Sequence, residues 1–178
     1  AMVDAALAGD RMIGMIQPVS SEAGGESAPP LSAVGGAGRI IAFQETEDGR
    51  YLIVLGGVCR FAVARETTRA TPYRTVAPDW SRFAHDLDGL NVAEPAVDRD
   101  ALLDALRQYL QRNQFGVDWD SVAEAPLEAL INSLSADCPF TSIEKQALVE
   151  AQTLEDRCAV LTTLLRMEQA GQNGGYVQ

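Results

Sequence analysis

The sequence predicts an α+β chain, with strands in its first half and helices in its second. Three observations carry that reading. Two apolar extended runs flank Asp48-Gly49, and glycine accepts the positive φ of a tight hairpin turn. The hydrophobic period changes at Val97-Asp98, where Leu102, Leu103, Leu106, Tyr109 and Leu110 recur at three and four residues. The pattern then remains helical as far as Ala170, and strand runs followed by helix runs imply α+β rather than alternating α/β.

In chain order, residues 2–8 read as a short helix stopped by Gly9, and Arg11–Gln17 as a strand ended by Pro18. Residues 18–36 are rich in Ser, Gly, Pro and Glu and read as a polar connection. Strands are expected at 37–46, 50–56 and 58–67. Ile40, Ile41 and Phe43 supply the first, Leu52 and Val54 the second, and Gly56-Gly57 a bulge or bend before the third. Tyr73–Trp80 is a fourth, limited by Pro72 and Pro78. Residues 81–95 are irregular and acidic.

Asp98 suits the cap of the first long helix, which Asn113 and Gly116 end. Pro126 stands near the first turn of a helix carrying Leu127, Leu130, Ile131 and Leu134. Thr141 and Glu144 have capping-box spacing, and Ile143, Ala147 and Leu148 are read as the apolar stripe behind them. The longest helix runs from Leu154 to Ala170, with Leu154, Cys158, Leu161, Leu164 and Leu165 on one face. The domains expected are a β subdomain at 1–95, a helical bundle at 96–172 and a flexible tail at 173–178.

Composition excludes more functions than it suggests. The 178 residues carry 25 acidic and 14 basic groups, a net charge of −11. Such a surface repels phosphates and gains nothing from counterion release, which argues against nucleic acid. Residues 1–97 hold twelve acidic and eight basic groups, and residues 98–178 hold thirteen and six. The cations of the first stretch are all arginine, the side chain suited to planar carboxylates. No apolar run approaches the roughly 18–20 residues that span a bilayer. Three scattered cysteines and no signal segment imply a reducing cytoplasm.

Catalytic patterns are weak. His85 is the only histidine, and no serine sits in a G-x-S-x-G turn. Ser142 and Lys145 have S-x-x-K spacing, but Ser142 lies within a good capping box. Cys59, Cys138 and Cys158 lack the close pairing of a zinc site. Asp86 and Asp88 before Gly89 lack the remaining ligands of a calcium loop. Gly35-Gly36-Ala37-Gly38 precedes a strand, whereas a nucleotide cradle opens a helix. No cofactor or metal is expected. Arg39, Arg50, Arg60, Arg65, Arg69 and Arg74 read either as solvated strand faces with local pairs or as a groove that grips carboxylates of a polypeptide.

Three stretches, Gly38-Arg39-Ile40-Ile41-Ala42-Phe43, Asp48-Gly49-Arg50-Tyr51 and Leu55-Gly56-Gly57-Val58-Cys59-Arg60-Phe61, resemble the N-terminal substrate-binding domain of Lon proteases, particularly free-standing bacterial members. Met2–Leu7 followed by Arg11-Met12-Ile13-Gly14 is similar to the family's first helix and next strand. Glu144–Glu150, Leu154–Arg157 and Leu161 are similar to its C-terminal helices. The resemblance implies a PUA-like β pseudo-barrel followed by a helical bundle. It also implies a non-enzymatic module that binds unfolded or flexible polypeptide beside a protease or chaperone system, because ATP hydrolysis and proteolysis belong to later Lon domains. PUA-like barrels elsewhere leave an alternative, a small-ligand or RNA-binding module. Arg39, Tyr51, Arg60 and Phe61 are the candidate peptide-binding residues, and Phe61 reads as core as well.

The family's usual opening, strands rich in Leu, Pro and Phe and then a Phe-Glu-Pro-Arg-Tyr element, is missing before residue 2, and Ala1 before Met2 reads as an expression scar. The expectation is therefore a start placed too late or a chain cut short, with an unpaired barrel edge that invites self-association as a homodimer.

Overall fold

The computed structural model describes residues 1–19, 29–87 and 97–171. The chain forms two compact units, residues 1–92 and 93–178. The α+β class stands: an antiparallel four-stranded sheet is followed by helices.

In the first unit, helix α1 (Met2–Leu7) leads through Arg11 into strand β1 (Met12–Met15). Gly9 was the expected stop, but the left-handed residue at this corner is Arg11 (φ 59°), whose N–H returns to the Ala6 carbonyl at 2.9 Å. Strands β2 (Val34–Glu45), β3 (Tyr51–Thr67) and β4 (Thr75–Asp79) complete a meander in the order β1-β2-β3-β4. The polar connection is therefore shorter than 18–36: a Pro18–Leu31 bridge closes it and β2 begins at Val34. Residues 20–28 lie outside the described residues.

The hairpin turns where Asp48-Gly49 places it. Gly49 has φ 76°, and Thr46 N–H donates to the Arg50 carbonyl at 2.8 Å. The expected strands 50–56 and 58–67 are one strand. Gly56-Gly57 does not break it; the register skips Val58 opposite Ala37/Gly38, skips Ile41 opposite Val54/Leu55, and skips Ala64 opposite Ala77/Pro78. Each extra residue kinks and twists the ribbon without ending it. The single β3 therefore serves two neighbours, β2 along most of its length and β4 from Ala62 to Thr67.

Phe61 and Phe83 are buried at the centre of this unit, with Ile13, Val34 and Ile40. The Phe61 ring packs edge-on to Trp80 at 5.3 Å between centroids. It also crowds two glycines: a Cβ on Gly14 would stand 3.2 Å from Phe61 Cζ, and one on Gly35 would stand 3.1 Å from the same atom and 2.7 Å from the Met15 carbonyl oxygen. A kinked 3-10 segment, Ser81–Leu87, follows β4 and supplies Phe83.

The second unit holds α2 (Arg99–Asn113), α3 (Trp119–Glu124), α4 (Leu127–Asp137), α5 (Ser142–Glu150) and α6 (Leu154–Gly171). Asp98 caps α2 through a 2.9 Å bond from Ala101 N–H, and Gln114 (φ 57°) ends it in the left-handed conformation. The Thr141–Glu144 capping box forms in both directions, with bonds of 3.3 and 2.7 Å. Leu102, Leu106, Ile131, Leu161 and Leu165 make the core. Cys158 and Leu164 are buried on α6 beside Leu161 and Leu165, as its periodicity indicated. The stripe assigned to α5 is corrected: Leu148 is buried, but Ile143 is 77% exposed and Ala147 is also exposed. Only one residue per two turns of this short helix reaches the core. The sequence reading also lacks α3, whose six residues are too few to show a period.

Arginines brace this bundle through backbone carbonyls. Arg99 donates to the carbonyls of Val122, Ala123 and Ala125 at 2.9–3.0 Å, satisfying the carbonyls that a helix leaves open at its C-terminus. Arg112 ties α2 to α6 by donating to the Leu165 carbonyl within that helix at 2.9 Å.

Candidate functional site

The four residues proposed from sequence do not converge. Tyr51 opens β3, while Arg60 and Phe61 lie nine and ten positions further along it, about 30 Å in an extended strand. Tyr51 donates to Asp4 Oδ1 on α1 at 2.8 Å, which raises its phenol above the ordinary range, and its ring lies 6.5 Å from that of Phe43. Arg39 stands on the outer face of β2, opposite Gly56, and reaches the Asp10 carbonyl at 3.3 Å. Phe61 is core, 2% exposed.

Arg60 is committed to Asp86. Its Nε and Nη2 donate to the two carboxylate oxygens at 2.8 and 2.7 Å, and its own backbone N–H donates to Asp86 Oδ2 at 2.9 Å. The guanidinium lies 4.4 Å from the centroid of the Phe83 ring, a cation–π contact. Burial pushes the Asp86 carboxyl up, but the hydrogen bonds and charge of Arg60 outweigh it and hold the group below the usual carboxylate range. This clamp ties the 3-10 segment to β3. His85 Nε2 adds a 3.6 Å approach to Asp86 Oδ1.

Two further arginines of this unit also pair locally. Arg74 forms a bidentate pair with Glu66 at 2.6 and 2.7 Å and also reaches the Pro29 carbonyl, and Arg50 pairs with Asp48. Arg60, Arg74 and Arg50 are thus each held by a carboxylate of their own unit.

No activated nucleophile emerges at the positions considered. Lys145 donates to the Ala136 carbonyl at 2.8 Å, which directs its ammonium to the end of α4. Burial, with Asp86 nearby, pushes the Cys59 thiol up, and burial does the same at Cys158. Both shifts oppose thiolate formation. Among the described residues no group of three or more His, Cys, Asp or Glu could hold a metal ion. The Asp86–Asp88–Gly89 pattern falls partly outside the described residues. No helix among the described residues is long and apolar enough to cross a membrane.

The concave feature of the first unit lies elsewhere. A cleft of about 600 Å³ is walled on one side by Met12, Ile13, Gly14 and Ile16, and on the other by Tyr73, Arg74, Thr75 and Val76, with Met2, Ala5, Ala6, Asp10 and Leu31 completing it. Both end strands of the sheet thus line one opening. Sequence reading missed it because its residues span positions 2 to 76, and only the curl of the meander brings them together. A second prominent feature is a stretch of hairpin where Ile41, Phe43, Leu52 and Val54 are 50–64% exposed.

The family model for the ATP-dependent protease La (LON) substrate-binding domain matches residues 1–167. The chain belongs to the LON substrate-binding domain family. Among solved structures, this LON-family chain is similar to the Lon N-terminal domain protein from Xanthomonas campestris at 17% identity and TM-score 0.48, covering 86% of this chain and 89% of that one. It is also similar to the N-terminal domain of the Mycobacterium avium complex Lon protease, at 16% identity and TM-score 0.48, over 86% and 90% of the two chains. No curated protein matches the sequence.

Proposed function

We propose that this chain is a non-enzymatic module that binds unfolded or flexible polypeptide. The observation that carries the reading is the LON substrate-binding family match, which runs from the sheet into the last helix. We assign the LON-type barrel to residues 1–95, the helical bundle to 96–172 and a tail to 173–178. The partner is a protein substrate of a cytoplasmic protease or chaperone system. The net charge of −11 disfavours nucleic acid.

Arg39 and Tyr51 are exposed or half-buried and remain contact candidates; Arg60 and Phe61 support the surface from beneath. The test is a fluorescence titration of the full chain with a labelled, chemically denatured protein. Saturable binding that native protein does not compete supports the reading, and its absence refutes it. Turnover of ATP or cleavage of a peptide by the purified chain would refute the non-enzymatic assignment.

A further inference from the structure

The helical unit carries a groove of its own. Its walls are Arg107, Leu110 and Gln111 of α2, Phe115 and Val117 of the loop that follows, and Trp119 at the start of α3, around a volume of about 340 Å³. All six lie within residues 107–119, in the interior of the sequence and inside one unit. Phe115, Val117 and Trp119 are 54%, 38% and 37% exposed. Part of this has a local cause. Gln114 ends α2 in the left-handed conformation, and the Phe115 N–H returns to the Leu110 carbonyl at 3.0 Å. That helix-ending motif sets an apolar residue against Leu110 and accounts for Phe115. It does not account for Val117 and Trp119, which follow at alternate positions and line the same groove. Both ends of the loop are fixed, one by that bond and the other by Asp118. The Asp118 carboxylate accepts from the Asp120 N–H at 3.1 Å and from the Ser121 hydroxyl at 2.6 Å. The groove is therefore pre-formed, which lowers the ordering cost of filling it.

Charge selects the occupant. Residues 98–178 hold thirteen acidic and six basic groups. Arg99, Arg112 and Lys145 donate to backbone carbonyls inside the unit. Arg107, the one cation in the wall, meets Asp104 at 2.8 Å and lies 5.1 Å from the centroid of the Trp119 ring. Asp118 and Asp120 flank Trp119 in the chain and are exposed. A cationic segment is attracted to such a rim and an anionic one is repelled. A second copy of this chain would bring another −11 charges toward it.

We propose that this groove seats an apolar anchor of a bound polypeptide, flanked in the partner's sequence by lysine or arginine. The proposal rests on the polypeptide-binding reading above and names a site and the class of segment it takes. The volume is at the small end of ligand pockets and suits a side-chain anchor. An aromatic anchor gains most, because Phe115 and Trp119 offer rings to pack against.

The probe is the peptide Lys-Lys-Ser-Phe-Leu-Ser-Lys-Lys, titrated calorimetrically into the full chain. In a Trp80→Phe background the same titration is followed by Trp119 emission. Saturable binding with a blue shift of that emission is expected. Phe115→Ala, at an exposed position, weakens binding about tenfold, the scale of an aromatic hot spot. Replacing Phe-Leu of the peptide by Ser-Ser weakens it as much, and replacing its lysines by glutamates abolishes it.

Equal or tighter binding of the glutamate peptide overturns the proposal by giving the groove to Arg107 and a carboxylate. Equal binding of the serine peptide overturns it too, since charge alone is then sufficient. So does binding that leaves Trp119 emission unchanged or that Phe115→Ala does not weaken. A concentration-dependent shift of Trp119 emission without peptide gives the groove to a second copy and also overturns it. If denatured protein binds and the peptide does not, the site fails while the polypeptide-binding function stands. If neither binds, both fail.

Discussion

Removing the Asp86 carboxylate should unfold the first unit far more readily than loss of a surface ion pair would. Asp86→Ala takes away three hydrogen bonds, and the side chains of the pair are only 12% and 18% exposed. It removes the carboxylate that meets the Arg60 guanidinium beside Phe83 and that accepts from the Arg60 backbone N–H. Breaking a buried pair from one side costs about 3–5 kcal/mol, and the residual exposure here places the loss near about 3 kcal/mol. For a unit of this size that corresponds to a fall in Tm of about 12–24 °C.

The chain has two tryptophans, Trp80 in the first unit and Trp119 in the second. Urea unfolding in a Trp119→Phe background, followed by Trp80 fluorescence, therefore reports on the unit that contains the clamp. Asp86→Asn should lose less, because its amide oxygen still accepts one bond. Arg60→Met/Asp86→Leu should recover part of the loss by removing both charges. The depressed carboxyl gives a second readout. Its contribution is present above the ordinary carboxylate range and is lost as pH falls through the lower folded-state value, below about pH 4. That acid-side slope should be reduced in Asp86→Ala. A loss below about 1 kcal/mol, the range of exposed pairs, would refute this account.

Gly35→Ala places a Cβ 2.7 Å from both the Met15 carbonyl oxygen and Ile16 Cγ1, while Gly36→Ala meets nothing within 4 Å. The same denaturation assay should show a loss of about 1–3 kcal/mol for the first and a change within about 0.5 kcal/mol for its neighbour. Thr141→Ala breaks the α5 capping box and should cost the helical unit about 1 kcal/mol, read by Trp119 fluorescence in a Trp80→Phe background. Leu52→Thr/Val54→Thr replaces exposed apolar groups on the hairpin; stability should hold within about 1 kcal/mol while solubility rises, as measured by precipitation threshold.

Local chemistry was legible in the sequence wherever a short motif decides the backbone. Asp48-Gly49, the Asp98 cap and the Thr141–Glu144 box all form as read, because each depends on a few adjacent residues. Strand continuity was less legible. Gly56-Gly57 looks like a break, but the neighbouring strand decides whether a bulge at Val58 absorbs the extra residue. Ile143 was misassigned because spacing on one turn of a nine-residue helix cannot tell which side meets the core. The family was legible from motif order, whereas the β1–β4 cleft was not, since it is made by sheet curvature among residues far apart in sequence.

The unequal lengths of the strands have a dynamic consequence. β1 reaches β2 only between Gly36 and Arg39, and β4 reaches β3 only beyond Phe61. From Ala42 to Val54 the hairpin is, among the described residues, a ribbon of two strands, and such ribbons are marginal in water. A single continuous strand, β3, should thus carry two lifetimes, its Tyr51–Val54 amides exchanging through fraying of the tip and those near Phe61 only when the whole unit opens.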